Sequence, residues 1–234
     1  MSPLPYEEID FAWTPAGEIS LRRRWDRVTQ RWVHEVRLGD EFLMTSQFTE
    51  TEVALATLGL AAAPARDLRV LVAGLGLGFT AHEALRDDRV RELAVVELTG
   101  AVIDWHRRDL VPQTAGLAAD PRTTLLEADF FDLVRTGGLD GPWDALLIDI
   151  DHSPEHLLDP AHGDFYSEAG LRLAAGALAR DGVLALWSDD LPDERVTERL
   201  RLVFATARGE RVDFDNEITG GVSSCSVYVA TGPL

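Results

Sequence analysis

The 234-residue chain contains no lysine; its 22 basic residues are all arginine, set against 40 acidic ones. Without lysine, no Schiff base and no lysine nucleophile can form. The formal net charge of −18 argues against nucleic acid or an anionic membrane as a main partner, because phosphate binding needs a basic surface. A negative field attracts small cations instead. The single cysteine, Cys225, excludes an internal disulfide framework and a four-cysteine zinc site, and its alternating surroundings make it a packed residue. No apolar run reaches the ~20 residues of a membrane span. The opening stretch "MSPLPYEEIDFAW" carries no basic, apolar leader, so the cytoplasm is the expected location.

What the chain does have is a change of pattern near residue 63. Before it, "EISLRRRW", "RWVHEVRLG" and "EFLMTS" alternate as strands do, with Gly39-Asp40 as a turn between the last two. A helix is expected over 49–62, ended by Pro64. After it come short apolar runs: "LRVLVAGLG", then 92–98, 123–129, 144–150 and 182–188. Helical stretches at 79–86, 99–109, 165–180 and 191–205 separate most of them. Strands alternating with helices imply right-handed crossovers and a doubly wound, mostly parallel sheet. "ERVDFD" and "SSCSVYVAT" follow each other without a helix, as an antiparallel hairpin at one sheet edge would. The expected division is an N-terminal β-appendage with its helix, 1–62, and a nucleoside-binding α/β domain, 63–234.

One more absence shapes the functional reading. The turn "VAGLGLGFTAH" supplies Gly74, Gly76 and Gly78, but Phe79 stands where a dinucleotide fingerprint needs its third glycine. A phenyl ring there obstructs the pyrophosphate approach, so a nucleoside without a pyrophosphate is expected. Glu97 ends the next strand, where an acid accepts from a ribose diol. Asp129 ends the third, where an acid can accept from an adenine amino group. Turn, acid and acid share the carboxyl edge of the sheet.

This order of motifs resembles the class I S-adenosylmethionine-binding fold, with seven strands and a C-terminal antiparallel hairpin. More narrowly, it resembles the spermidine synthase (polyamine aminopropyltransferase) group. Four stretches over roughly 40–190 carry the likeness: "GDEFLMTSQFTETE", "RVLVAGLGLGFTAHEAL", "DALLIDIDHSPE" and "DFYSEAGLRLAAGALARDGVLAL". The resemblance implies a transferase moving an alkyl group, aminopropyl first, from decarboxylated S-adenosylmethionine or S-adenosylmethionine to an amine. It makes Asp149 the carboxylate that orients and deprotonates the acceptor, with Asp151 beside it and Glu50 and His152 as acceptor contacts. It also implies a homodimer paired through the appendages. Three positions depart from the family pattern. The turn aspartate that holds the donor's aminopropyl amine falls at Leu77, the appendage tyrosine at Phe48, and the second gate-loop aspartate at His152.

Two other readings stand beside this one. A methyltransferase acting on a small molecule would use intact S-adenosylmethionine, with Asp149, Asp189 and Asp190 as hard oxygen ligands for Mg²⁺. "SDDLPDE" is equally a helix start, with Asp190 as N-cap before Pro192, and no metal is assigned. Nor is a histidine metal site: Pro154 separates His152 from His156, and H-E-x-x-H is absent. The non-enzyme reading is a nucleoside-binding homologue that has lost turnover.

Overall fold

The computed structural model describes residues 6–15 and 17–234. Four antiparallel strands form the N-terminal sheet in sequential order: β1 (Tyr6–Thr14), β2 (Gly17–Asp26), β3 (Arg31–Leu38) and β4 (Glu41–Thr45). β1 is absent from the sequence expectation. Its register against β2 shifts between Glu8 and Asp10, and a bulge breaks the two-residue alternation that betrays a strand.

Helix α1 (Glu50–Ala62) follows, and its end falls before Pro64 as expected. The α/β portion then runs β5 (Leu68–Ala73), α2 (Phe79–Ala84), β6 (Val90–Glu97), α3 (Gly100–Arg107), β7 (Thr123–Glu127), α4 (Phe130–Thr136) and β8 (Trp143–Ile148). It closes with α5 (Glu168–Gly176), β9 (Leu178–Ser188), α6 (Glu194–Arg201), β10 (Phe204–Asn216) and β11 (Gly221–Pro233). The strand order is β10-β11-β9-β8-β5-β6-β7. Pairs from β7 through β9 are parallel, and β11 runs antiparallel between β9 and the edge strand β10.

Several boundaries differ from the sequence reading for local reasons. The 165–180 helix stops at Gly176 because β9 starts at Leu178, and the 191–205 helix is confined to 194–201. Its N-cap is Asp193, accepting from the Arg195 N–H, rather than Asp190. α4 is a helix that sequence reasoning missed. It has seven residues, too few to show a period, yet it is closed by Asp129 at its start and a left-handed Gly137 at its end.

Both faces of the large sheet are covered, which is why its strands read as unbroken apolar runs. Along β5, Val70 and Val72 join one core, while Leu71 and Ala73 join the other. The first core also takes in Ile19, Leu21 and Val36 of the appendage and Leu55 and Leu60 of α1. Appendage and sheet thus share one apolar layer. Gly59 brings α1 down onto the sheet, since a Cβ there would lie 2.6 Å from Leu147 and 3.0 Å from Ala185.

Candidate active site

The strand order reverses between β5 and β8: the chain goes on from β5 to β6 and β7 on one side, and to β9 on the other. Ligands of open α/β sheets bind outside the carboxyl ends at such a switch point. The Asp149 N–H donates to the Ala73 carbonyl at 2.8 Å, holding the two strand ends together. A Cβ on Gly74 would come within 2.0 Å of the Asp149 carbonyl oxygen, and its φ of +92° is one that side chains rarely adopt. Glycine is required here by the approach of β8.

A cavity of about 110 Å³ opens over this junction. Leu43, Met44, Leu75, Leu77, Phe79, Ile150, Leu158 and Trp187 give it apolar walls; Glu52, Asp149 and His152 are its titratable lining. Met44 of β4 lies directly on the glycine turn, with its sulfur 2.4 Å from where a Gly76 Cβ would sit. Sites for drug-sized ligands measure about 300–1,000 Å³. The cavity as it stands therefore has the volume for a small amine. The indole N–H of Trp187 is buried without a partner, a donor left for a ligand acceptor.

Glu52 is the residue that sequence reasoning missed. It shares a helix face with Leu55, Ala56 and Gly59, three, four and seven positions on, and that is the face α1 turns to the sheet. The sequence reading chose Glu50, which is exposed and whose side chain accepts from the Thr49 N–H. The spacing to the buried positions was the available signal. The buried Thr80 hydroxyl donates to Asp149 Oδ2 at 2.6 Å and also lies 3.4 Å from the Glu52 carbonyl. Thr51 donates to Glu52 Oε2 at 2.8 Å. Burial, reinforced by the charge of Asp149, pushes the Glu52 carboxyl up to about 7. Burial pushes Asp149 up to about 6, and the Thr80 hydrogen bond opposes that rise.

The remaining named residues lie at different distances from this pair. Gly76, Gly78 and His152 line the cavity; Glu97 and Asp129 do not. Glu97 Oε2 accepts from the Leu75 and Gly76 N–H groups, and Oε1 from that of Thr99. Burial raises its pKa. In this structure Glu97 ties the glycine turn to the start of α3. His106, a second residue absent from the sequence reading, supports the same turn by donating from Nε2 to the Gly76 carbonyl at 2.8 Å. Asp129 caps α4 by accepting from the Asp132 N–H.

Asp151 is buried away from the cavity. It accepts from the Leu158 N–H, His162 Nδ1 and the Tyr166 hydroxyl at 2.8–2.9 Å, so its carboxylate anchors the 151–166 loop. Asp189 and Asp190 are also engaged elsewhere, Asp189 with the Cys225 thiol and Asp190 with His156. Burial, then Asp189, pushes that thiol up to about 12, which disfavours the thiolate. Among the described residues, no three His, Cys, Asp or Glu side chains form a metal-ligating group.

The seven-stranded order, with β11 antiparallel between β9 and β10, defines a class I methyltransferase fold. No family model matches the chain. It is 30% identical over 178 residues to a polyamine aminopropyltransferase of a Synechococcus strain, covering 72% of this chain and 53% of that protein. A Mycobacterium tuberculosis polyamine aminopropyltransferase is 33% identical over 118 residues, 50% of this chain and 22% of its own. A putrescine N-methyltransferase of Nicotiana tabacum is 29% identical over 119 residues, 51% and 31%. The chain thus spans about half the length, or less, of these curated relatives. Among solved structures, spermidine synthase from Thermotoga maritima superposes with a TM-score of 0.72 at 22% identity, over 96% of this chain and 72% of that one. A spermidine synthase bound to the transition-state analogue AdoDATO gives 0.73, again at 22% identity, over 96% and 73%. The chain is therefore similar in sequence to polyamine aminopropyltransferases and putrescine N-methyltransferases and has the fold of the spermidine synthases, N-terminal sheet included.

Proposed function

We propose that the chain transfers an alkyl group, aminopropyl by preference, from a sulfonium nucleoside to a small cationic amine. The carrying observation is the Glu52–Asp149 pair, two carboxylates in a largely apolar cavity at the switch point. An amine is protonated at neutral pH and has no lone pair to attack with. Paired carboxylates attract the cation, hold its nitrogen in line with the carbon on sulfur, and take its proton. The glycine turn and Met44 border the space for the donor, while Glu97 and Asp129 at the next two strand ends remain the proposed ribose and adenine contacts. Asp151 acts here by fixing the loop that carries His152.

The decarboxylated donor is favoured over intact S-adenosylmethionine by charge. No arginine lines the cavity, and the chain has no lysine. A donor carboxylate would meet the acid pair with no cation to offset it. Leu77, 3% exposed at the cavity wall, supports the methyl-transfer alternative, because the glycine turn offers no acid for an aminopropyl amine. That the relatives include both polyamine aminopropyltransferases and putrescine N-methyltransferases fits a shared amine site with differing donors. The exposed Phe11 and Trp13 on edge strand β1 support pairing of two copies through the appendages, and the cytoplasm fits such a substrate.

Calorimetric titration with S-adenosylmethionine, its decarboxylated form and methylthioadenosine tests the reading. The decarboxylated donor is expected to bind at least tenfold more tightly than the intact one. The reverse preference would establish methyl transfer, and heat from none of the three would remove the nucleoside site altogether.

A further inference from the structure

The Glu52–Asp149 pair supplies at most two negative charges, and the transfer reaction brings its own cations to share them. We propose that the acceptor is a small primary monoamine with an alkyl end, not a diamine. This inference rests on the alkyl-transfer reading above and narrows the class of amine that the site takes.

Charge has to balance inside one cavity. The transferred aminopropyl chain carries an ammonium at its far end, so the donor's own cation enters with the reacting carbon. An intact donor brings an α-ammonium by the same route. Leu77 stands on the glycine turn without a hydrogen-bonding side chain, so this ammonium draws on one acid of the pair. The attacking nitrogen, an ammonium until it is deprotonated, draws on the other. Both acids are open to cations, because their own donors are neutral. Asp149 accepts from the Thr80 hydroxyl, and Glu52 from the Thr51 hydroxyl and its own backbone N–H. A second ammonium on the acceptor would be left without an anion, and a buried, unpaired charge is strongly disfavoured.

Among the described residues, the acids closest in sequence to the site are engaged elsewhere. Asp151 is taken up by the Leu158 N–H, His162 and Tyr166. Glu50 is exposed and accepts from the Thr49 N–H. Asp189 pairs with the Cys225 thiol and Asp190 with His156. None of these acids lines the cavity. What the 151–166 loop presents there is His152, an imidazole with no negative charge to offer. Much of the remaining lining is apolar, with Leu43, Ile150, Leu158 and Trp187. Such a surface gains from covering a methyl end and loses from stripping water off an ammonium.

The transfer itself needs a single nitrogen. One acid takes a proton from it, and the freed lone pair forms the N–C bond. The C–S bond breaks with its electron pair going to sulfur, so the sulfonium becomes a neutral thioether. The proton passes to water, and the product leaves as a secondary ammonium.

The test is steady-state turnover of the full chain, with the donor that binds in calorimetry, on n-butylamine and putrescine. The two amines share a carbon chain and differ by the second ammonium. n-Butylamine is expected to give a kcat/KM about tenfold higher, or more. His152→Asp adds an acid to the loop and should shift that ratio toward putrescine by about tenfold. Leu158→Asp, at a lining residue 41% exposed, makes the same comparison if His152→Asp disturbs the loop. A wild-type chain that prefers putrescine overturns the inference and leaves alkyl transfer standing, as does a ratio that neither variant moves. Binding of no donor, or alkylation of neither amine, overturns the alkyl-transfer reading and this inference with it.

Discussion

At the scale of the residue, the Glu52–Asp149 pair links the site to stability. Both groups bind a proton more tightly in the folded protein than in a free chain, Glu52 rising from 4.5 to about 7. Between those values the folded state holds more protons than the unfolded one, so stability falls as pH rises through the window. Glu52→Gln removes the burden of a buried charge. It should raise stability at pH 8 by on the order of 1–3 kcal/mol, with the difference vanishing below about pH 4. Urea unfolding at the two pH values measures this; equal stabilisation at both would mean that Glu52 is not strained by ionisation. The pattern also shows what one sequence leaves hidden. Glu50 and Glu52 differ by two positions, and either fits an acidic helix start. Only the phase relative to Leu55, Ala56 and Gly59 separates them, and that phase matters because α1 packs on the sheet.

At the scale of the element, the 151–166 loop is held by one carboxylate. Asp151 receives a backbone N–H, an imidazole and the Tyr166 hydroxyl, while His162 stacks on Phe131 with ring centroids 3.9 Å apart. The buried Tyr166 hydroxyl, beside that carboxylate, stays protonated, since burial and Asp151 push its pKa well up. Tyr166→Phe deletes one charge-assisted hydrogen bond of roughly 1.5–3 kcal/mol. The loop contains no arginine but does contain Glu155, so a glutamate-specific protease reports on it. Cleavage at Glu155 should accelerate several-fold in the variant, and an unchanged rate would deny Asp151 its anchoring role. The sequence reading placed Asp151 beside Asp149 at the acceptor. The tertiary structure turns Asp151 inward, because His162 and Tyr166, 11 and 15 residues later, come back to meet it.

At the scale of the molecule, 22 arginines against 40 acids leave a net charge of −18. On the proposed reading, such a field draws a cationic amine toward the acid pair and repels the carboxylate-bearing end of an intact donor. Screening shortens its reach from about 10 Å at 0.1 M salt to about 3 Å at 1 M. KM for putrescine should therefore rise several-fold across that range while kcat holds, and a flat KM would remove long-range steering from the account. Among the described residues, no helix is long and apolar enough to cross a membrane.

Composition and order alone determined the sheet of unbroken apolar strands, the strand-turn-helix at Gly74–Gly78, the acids at successive strand ends and the resemblance they carry. These are local signals: a buried parallel strand must be apolar throughout, and a turn crossed by another chain segment must be glycine. The bulged β1 and the two-turn α4 escaped because each interrupts or falls short of a period. What the tertiary structure decided is which acids meet. Glu52 and Asp149 are 97 positions apart and become a pair only because Gly59 lets α1 settle on the sheet beside Leu147, two residues before Asp149. Glu97, Asp129 and Asp151 bear the same carboxylate, yet in this structure they hold a turn, a helix end and a loop. A carboxylate's chemistry follows from its surroundings, and those are set by packing between distant segments.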